Sequence, residues 1–233
     1  MKLSKRLETI AAMVPELSED GCVADIGTDH GFIPIRLIQE RKAARALAMD
    51  VRKGPLMRAE EHIRQYGLAD RIEVRLSDGL EQLRAGEAQA VVIAGMGGEL
   101  MLRILRNGGH VRESIRYWIL SPQSELSAFR HGLEEMGLAI RREELVEEDG
   151  KYYTVMLAEP GEMHYEQEYR YRYGDCLIRQ KSQVLQALLE REQCQYREIL
   201  EQLGRQESEG AVKRSREIRQ ELLDLTEALD VMR

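Results

Sequence analysis

The chain has 233 residues, 43% hydrophobic and 32% charged, which is enough to bury the core of one large domain or of an ordinary domain with an appendage. A formal charge of −7 argues against capture of nucleic acid by bulk electrostatics, and 5% aromatic content leaves little for an aromatic cage or a base-stacking sheet. There is no run of roughly eighteen apolar residues and no signal-peptide core, and Cys22, Cys176 and Cys194 are too scattered for a disulfide framework or zinc site, so a cytoplasmic protein with no membrane span and no metal is expected.

Ser4 is placed to cap a first helix that puts Leu7, Ile10, Ala11 and Val14 on one face and stops at Pro15. Lys5 and Arg6 open that helix against the macrodipole, either as two solvated charges or as residues facing a substrate. Strands are expected over 22–26, 46–51, 72–76, 90–94 and 117–120. Helices over 32–41, 55–66 and 98–106 lie between them, with a short helical piece at 80–83. Ser124 then reads as the N-cap of a helix to Met136, ended by Gly137. Two last strands, 139–146 and 152–158, are joined through Asp149-Gly150, a hairpin signal. Five parallel strands, a helix and a closing hairpin follow the order of the α/β, Rossmann-like sheet of seven-stranded class I methyltransferases.

Past Pro160 the pattern turns helical. Leu185, Leu188, Tyr196, Ile199 and Leu203 form one stripe, broken by Glu192; Ile218, Leu222, Leu225, Leu229 and Met232 form another. Gly204 and residues 207–210 lie between as a turn, so an antiparallel coiled-coil hairpin is expected. The organisation is therefore a sheet domain over 1–160 and a helical domain over 161–233. Arg170, Arg172, Arg179 and Lys181 cluster, as do Lys213, Arg214, Arg216 and Arg219, either as solvated faces or as a nucleic-acid contact.

The most informative stretch is Asp25-Ile26-Gly27-Thr28-Asp29-His30-Gly31-Phe32, where an apolar strand runs through a glycine turn into a helix carrying Pro34 in its first turn. A dinucleotide site wants small residues beside the pyrophosphate, but Asp29 occupies the position of the middle glycine. A carboxylate there repels pyrophosphate and tolerates the sulfonium and ammonium of S-adenosyl-L-methionine, so the loop argues for that cofactor and against NAD. Asp50 ends the second strand, where an acid accepts from ribose hydroxyls; a solvated strand-end acid is the alternative. Asp78-Gly79 ends the third, as an adenine acceptor or a plain turn. Ala94-Gly95-Met96-Gly97-Gly98 ends the fourth, leaving room for a base or the methyl donor, or simply turning the chain. Gln123 after the fifth either reads a base edge or belongs to loop structure, and His30 is either a general base or a structural donor.

With these residues the chain resembles the bacterial tRNA (adenine-22-N1)-methyltransferases. The resemblance rests on residues 3–11, on the Gly27-Thr28-Asp29-His30 loop, on Val51-Arg52-Lys53-Gly54-Pro55, on Ser77-Asp78-Gly79-Leu80 and on Ala94–98, and it extends over about residues 3–158 with a similar helical tail. The family more often has Ser-Asp-His-Ala-Tyr where this chain has Thr28-Asp29-His30-Gly31-Phe32, and Gln-Pro where it has Ser121-Pro122-Gln123. The resemblance implies methylation of N1 of adenine 22 in the D-arm of tRNA by S-adenosyl-L-methionine. It implies cofactor contacts from Asp25, Gly27, Thr28, His30, Asp50, Val51, Asp78, Gly79, Ala94, Gly95 and Met96. Substrate contacts are expected from Lys5, Arg6, Gly97 and Gln123, and Asp29 is the candidate catalytic carboxylate. The expected partner is tRNA, the helical tail is the expected accessory for binding it, and a monomer is expected. The alternatives are a methyltransferase acting on another RNA, a protein or a small molecule, or a non-enzymatic module binding S-adenosyl-L-methionine or RNA.

Overall fold

A computed structural model describes residues 2–205 and 208–233. Its strands are β1 (Cys22–Ile26), β2 (Arg45–Asp50), β3 (Ile72–Leu76), β4 (Ala90–Ala94), β5 (Tyr117–Ser121), β6 (Leu138–Glu148) and β7 (Lys151–Pro160). They form one sheet in the order β3-β2-β1-β4-β5-β7-β6, with β1 to β5 parallel and β7 antiparallel to both β5 and β6. The central strands are the continuous apolar runs: β1 is buried at every position and β4 at its first four, as strands covered on both faces must be. At the edge, β3 is buried only at Ile72, and its Arg75 lies between Glu73 and Glu87. Asp149 and Gly150 both adopt positive φ, 51° and 74°, which gives the hairpin turn between β6 and β7 the twist its strands need.

Helices α1 (Lys5–Met13), α2 (Phe32–Gln39), α3 (Lys53–Gln65), α4 (Gly98–Asn107), α5 (Gly109–Arg112) and α6 (Leu126–Glu135) cover the sheet. Ser4 Oγ accepts from Leu7 N, as its position at the cap predicts. The acid missing from the start of α1 comes from the hairpin: Glu148 Oε1 accepts from Lys5 N at 2.6 Å and Arg6 N at 3.4 Å. The other end is closed by Lys42, whose ammonium donates to the carbonyls of Ala11, Ala12 and Val14. Ile10, Ala11, Met13 and Val14 pack into the same core as Val23, Ile35 and Val92.

Two local expectations are corrected. Residues 80–83 form turns rather than a helix: Ser77 Oγ donates to Gly79 O and accepts from Gln82 N, which folds the chain back before a helical turn can propagate. Ser124 is not the cap of α6, which follows Glu125 in the left-handed region (φ 56°). Its hydroxyl accepts from Gly98 N at the start of α4, 26 residues away, instead.

The chain divides into two compact units, Met1–His164 and Tyr165–Arg233. In the second, the short helices α7 (Glu168–Tyr173) and α8 (Asp175–Arg179) precede α9 (Gln183–Leu203) and α10 (Glu209–Met232), which pack as the expected helical hairpin. Ser182 and Ser208 cap the two long helices. On α9, Leu185 is buried and Leu188, Tyr196 and Leu203 are partly buried, as expected; of the expected stripe only Ile199 is exposed, and Leu189 and Leu200 join the inward face. Ile218, Leu225, Leu229 and Met232 are buried on α10. Of the expected turn, residue 207 lies outside the described residues, and Gly210 is already helical. No helix among the described residues is long and apolar enough to cross a membrane.

Candidate functional site

The sheet order reverses between β1 and β4, and ligands of open α/β sheets bind at the carboxyl ends of strands at such a point. A cavity of about 460 Å³ opens there. One wall is the loop after β1. Gly27 (φ 81°) and Thr28 both donate their N–H to Met49 O at the end of β2, at 2.7 and 3.0 Å, which turns the loop across the strand ends. A side chain on Gly27 would displace the flexible Met96 methyl, and the positive φ is what requires glycine there. Gly31 (φ 69°) starts α2 with Ala59 of α3 against it.

The opposite wall is the loop after β4. Gly95 adopts φ 81°, with the Arg6 guanidinium lying over it. The loop is stitched to the one after β5: Gln123 N donates to Met96 O at 2.9 Å, Gly98 N to Ser124 Oγ at 3.3 Å and Glu99 N to Glu125 Oε2 at 3.2 Å. Helix α4 has no capping side chain of its own, so Ser124 and Glu125 supply its caps from a neighbouring loop.

Arg6, Asp25, Gly27, Thr28, Asp29, His30, Ala94, Gly95 and Gln123 all line this one cavity, joined by Phe32 and Arg52. Met96 packs over Gly27, and Gly97 abuts Ser124. Asp50 is buried at the end of β2, where it accepts from Arg52 N at 2.7 Å, and the next residue, Val51, is exposed. Asp78 is exposed beyond β3, and Gly79 (φ 55°) packs against Ile104. These residues extend the same carboxyl edge past the cavity. Lys5 does not line it; its ammonium donates to Glu147 O on the hairpin at 3.2 Å.

Burial pushes the Asp25 carboxyl up to about 6; the charge of Asp50 adds to this, and the nearby Thr28 hydroxyl opposes it without forming a hydrogen bond of normal geometry. Asp29 is shifted the other way. The hydrogen bond from Arg58 holds its carboxyl below the usual range, against a small opposing effect of burial, and the charges of His30, Arg58 and Arg52 help. The His30 ring stacks on Phe32 (5.1 Å between centroids, 13° between planes) and on His62 (5.4 Å), whose Nδ1 donates to His30 O. Among the buried side-chain polar atoms that lack a partner, Arg6 Nε, Thr28 Oγ1 and His30 Nδ1 all belong to this cavity. Sequence reasoning did not single out Arg58, His62, the clamping role of Ser124 and Glu125, or Tyr153, whose ring centre lies 4.9 Å from Arg6 Cζ. Only the recurrence of cations at Arg52 and Arg58 after an acidic loop hints at any of them.

A family model described as a methyltransferase domain matches residues 3–156. The tRNA (adenine(22)-N(1))-methyltransferase of Bacillus subtilis (strain 168) is 39% identical over 162 residues, 70% of this chain and 67% of that protein. The crystal structure of the B. subtilis M1A22 tRNA methyltransferase TrmK superposes with a TM-score of 0.85 at 32% identity, covering 98% of this chain and 99% of that one. Streptococcus pneumoniae Sp1610 in complex with S-adenosyl-L-methionine superposes with a TM-score of 0.84 at 29% identity, covering 98% and 100%.

Proposed function

The chain belongs to the tRNA (adenine(22)-N(1))-methyltransferase family, and on that footing we propose that it methylates N1 of adenine 22 in the D-arm of tRNA, using S-adenosyl-L-methionine. The observation that carries this reading is the convergence of a glycine loop, a buried acid and three unpartnered polar atoms on one cavity at the strand-order reversal. The donor set fits the cofactor: Asp25 suits its cationic methionine end, while Asp50 and Val51 at the end of β2, with Asp78 and Gly79 beyond β3, suit ribose and adenine. When bound, S-adenosyl-L-methionine supplies an electrophilic methyl group.

The protein's part is then positioning and electrostatics. Neutral adenine N1 carries an in-plane lone pair, so the reaction needs alignment more than proton removal. N1 lies on the Watson–Crick edge, so the base must leave its stack, and the His30–Phe32–His62 layer at the cavity offers a ring surface to receive it. The methylated base is cationic. Asp29, kept ionised by Arg58, is a weak base but a standing negative charge, which suits stabilising that cation rather than accepting a proton. Gln123, held at its backbone by Met96 O, lines the same cavity for the base edge.

The helical unit is read as the tRNA-binding accessory. Arg170, Arg172, Arg179 and Arg214 are engaged with carboxylates of that unit. Lys213, Arg216 and Arg219 make no ion pair among the described residues and are the groups proposed to meet phosphates. A single copy of the chain, in the cytoplasm, is sufficient for this reading. The test is methyl transfer from labelled S-adenosyl-L-methionine to unmodified tRNA transcripts carrying adenine or guanine at position 22. Label only on the adenine transcript, recovered as 1-methyladenosine, is expected. Label on both moves the target, and label on neither removes the activity. Affinity for tRNA should fall steeply with salt, since a net acidic protein can hold RNA only through local basic patches.

A further inference from the structure

The loop after β1 is held in two halves by different elements. Gly27 and Thr28 are anchored to Met49 O at the end of β2, through N–H bonds of 2.7 and 3.0 Å. Residues 29 to 31 are held from α3 instead. Arg58 Nε donates to Asp29 Oδ1 at 3.2 Å, and His62, one helical turn further on, donates from Nδ1 to His30 O at 3.0 Å. Between them Ala59 lies against Gly31, where an added Cβ would stand 3.3 Å from the Ala59 methyl. The face of α3 formed by Arg58, Ala59 and His62 therefore supports the half of the loop that carries Asp29 and His30.

His62 makes two separate contacts with this half. Its Nδ1 carries the proton shared with His30 O, because a carbonyl only accepts. Its ring also lies near-parallel to those of Phe32 and His30, at 5.1 Å and 19° and at 5.4 Å and 28°. The first contact fixes the main chain of His30, and the second fixes the plane of its ring, which lines the cavity together with Asp29. Stability alone does not account for this support. The neighbouring Arg58–Asp29 pair is half open to water, with side chains 49% and 57% exposed, and such pairs add little to folding. A proton donor and a ring aimed at the residue between Asp29 and Gly31 instead hold that segment still, which a loop must be if a base is to enter beside it in reacting geometry.

We propose that His62 is a positioning residue for methyl transfer, holding the Asp29–His30 segment in register with the cavity through the His30 carbonyl and ring. The assignment rests on the methyltransferase reading of that cavity and adds to it the residue that sets the geometry of the loop. Loss of His62 should disturb residues 29 to 31 and spare Gly27 and Thr28, whose anchor on β2 is independent of α3.

The test separates the donor from the ring. His62→Gln keeps a donor for His30 O and loses the ring, His62→Phe keeps the ring and loses the donor, and His62→Ala loses both. Methyl transfer to the tRNA transcript with adenine at position 22 gives kcat and the KM for tRNA, and calorimetry gives the affinity for S-adenosylhomocysteine. His62→Ala should lower kcat about 10- to 100-fold, the loss expected when a loop at the reacting centre shifts by about 1 Å. The KM for tRNA and the S-adenosylhomocysteine affinity should stay within about threefold of wild type, the pattern of an interaction used only in the transition state. His62→Gln and His62→Phe should each fall between His62→Ala and wild type. Amide hydrogen exchange at residues 29 to 31 should speed up in His62→Ala and less so in His62→Gln, a readout independent of turnover. An unchanged kcat in His62→Ala overturns the assignment. So does a loss of kcat matched by equal losses of S-adenosylhomocysteine affinity and thermal stability, which marks a residue that only supports the fold. Where His62→Ala does not fold, wild-type kcat in both other variants overturns it. These outcomes remove the role of His62 alone, whereas wild-type protein that methylates no transcript overturns the methyltransferase reading with it.

Discussion

Replacing Asp25 by Asn should make the protein more stable and a poorer cofactor binder at once. Burial raises the Asp25 carboxyl to about 6 from an ordinary 3.8, so the folded state holds this proton more tightly than the unfolded chain does. The penalty for ionising it is therefore absent below about pH 4, grows between about 4 and 6 and is complete above that, at about 3 kcal/mol for two pK units. Asn removes the charge with little change in volume. At pH 7.5, Asp25→Asn should gain about 2–3 kcal/mol, and the sheet unit should melt about 4–10 °C higher. The gain should shrink as the pH falls towards 4. The same substitution removes the anion proposed to face the cofactor's cationic end, so S-adenosylhomocysteine affinity should fall about 10-fold or more. Wild-type affinity should itself decline as pH drops through about 6, while that of the variant stays flat. Scanning calorimetry and ligand titration from pH 5 to 8 measure both halves. A variant that melts lower than wild type at pH 7.5 and binds the ligand as well would refute the reasoning, because Asp25 would then be a satisfied structural acid.

Arg58→Ala should release the Asp29 carboxyl towards its ordinary range, moving the acidic limb of the pH–rate profile upward without changing S-adenosylhomocysteine affinity; an unmoved limb would remove Asp29 from the reaction. Glu87→Gln should cost about 2–3 kcal/mol at neutral pH, since Glu87 is held down to about 2 chiefly by its two hydrogen bonds with Arg75. That contribution is present above about pH 4.5 and is lost as pH falls through about 2, so denaturation midpoints of variant and wild type should converge in acid. Gly27→Ala should abolish measurable cofactor binding, and adding Met96→Ala should restore only part of it, because the smaller side chain relieves the clash but leaves the positive φ. Glu125→Ala should speed hydrogen exchange at the Gly98 and Glu99 amides and cost about 1 kcal/mol, with Glu125→Gln close to wild type because an amide oxygen also caps α4.

Where structure was decided by neighbours along the chain, it was legible beforehand. Strands 22–26, 72–76 and 90–94 fall where their apolar runs and glycine boundaries place them, and Asp149-Gly150 turns the hairpin. Where the deciding partner is remote, local pattern misleads. Ser124 has the identity of an N-cap in front of a periodic segment, yet its hydroxyl serves Gly98 and Glu125 takes the left-handed turn instead. Lys5 and Arg6 look electrostatically misplaced at a helix start until Glu148, more than a hundred residues on, folds back over them. In α9 the expected stripe holds at Leu185, Leu188, Tyr196 and Leu203, and packing widens it to Leu189 and Leu200 while leaving Ile199 exposed.

The site divides along the same line. Which residues meet could be read from strand ends and glycine turns, because a parallel sheet brings the loops after neighbouring strands together whatever their contents. What each residue does there depends on charges the pattern does not pair. Asp29 could have served as a base on its sequence context alone; Arg58, 29 residues later on the third helix, keeps it ionised and turns it into a fixed negative charge. Asp25 was one acid in a motif, and only its burial beside Asp50 makes it an anion that the fold holds at a cost and a cationic ligand would relieve. Arg6 reverses the logic, since the same first helix that offered it to a substrate in sequence carries it inward to Tyr153 and Gly95. An acid costly to ionise and a guanidinium left dry are each unfavourable to the empty fold. Both line the cavity proposed to take the cofactor, so affinity and stability should trade against each other at these two residues first.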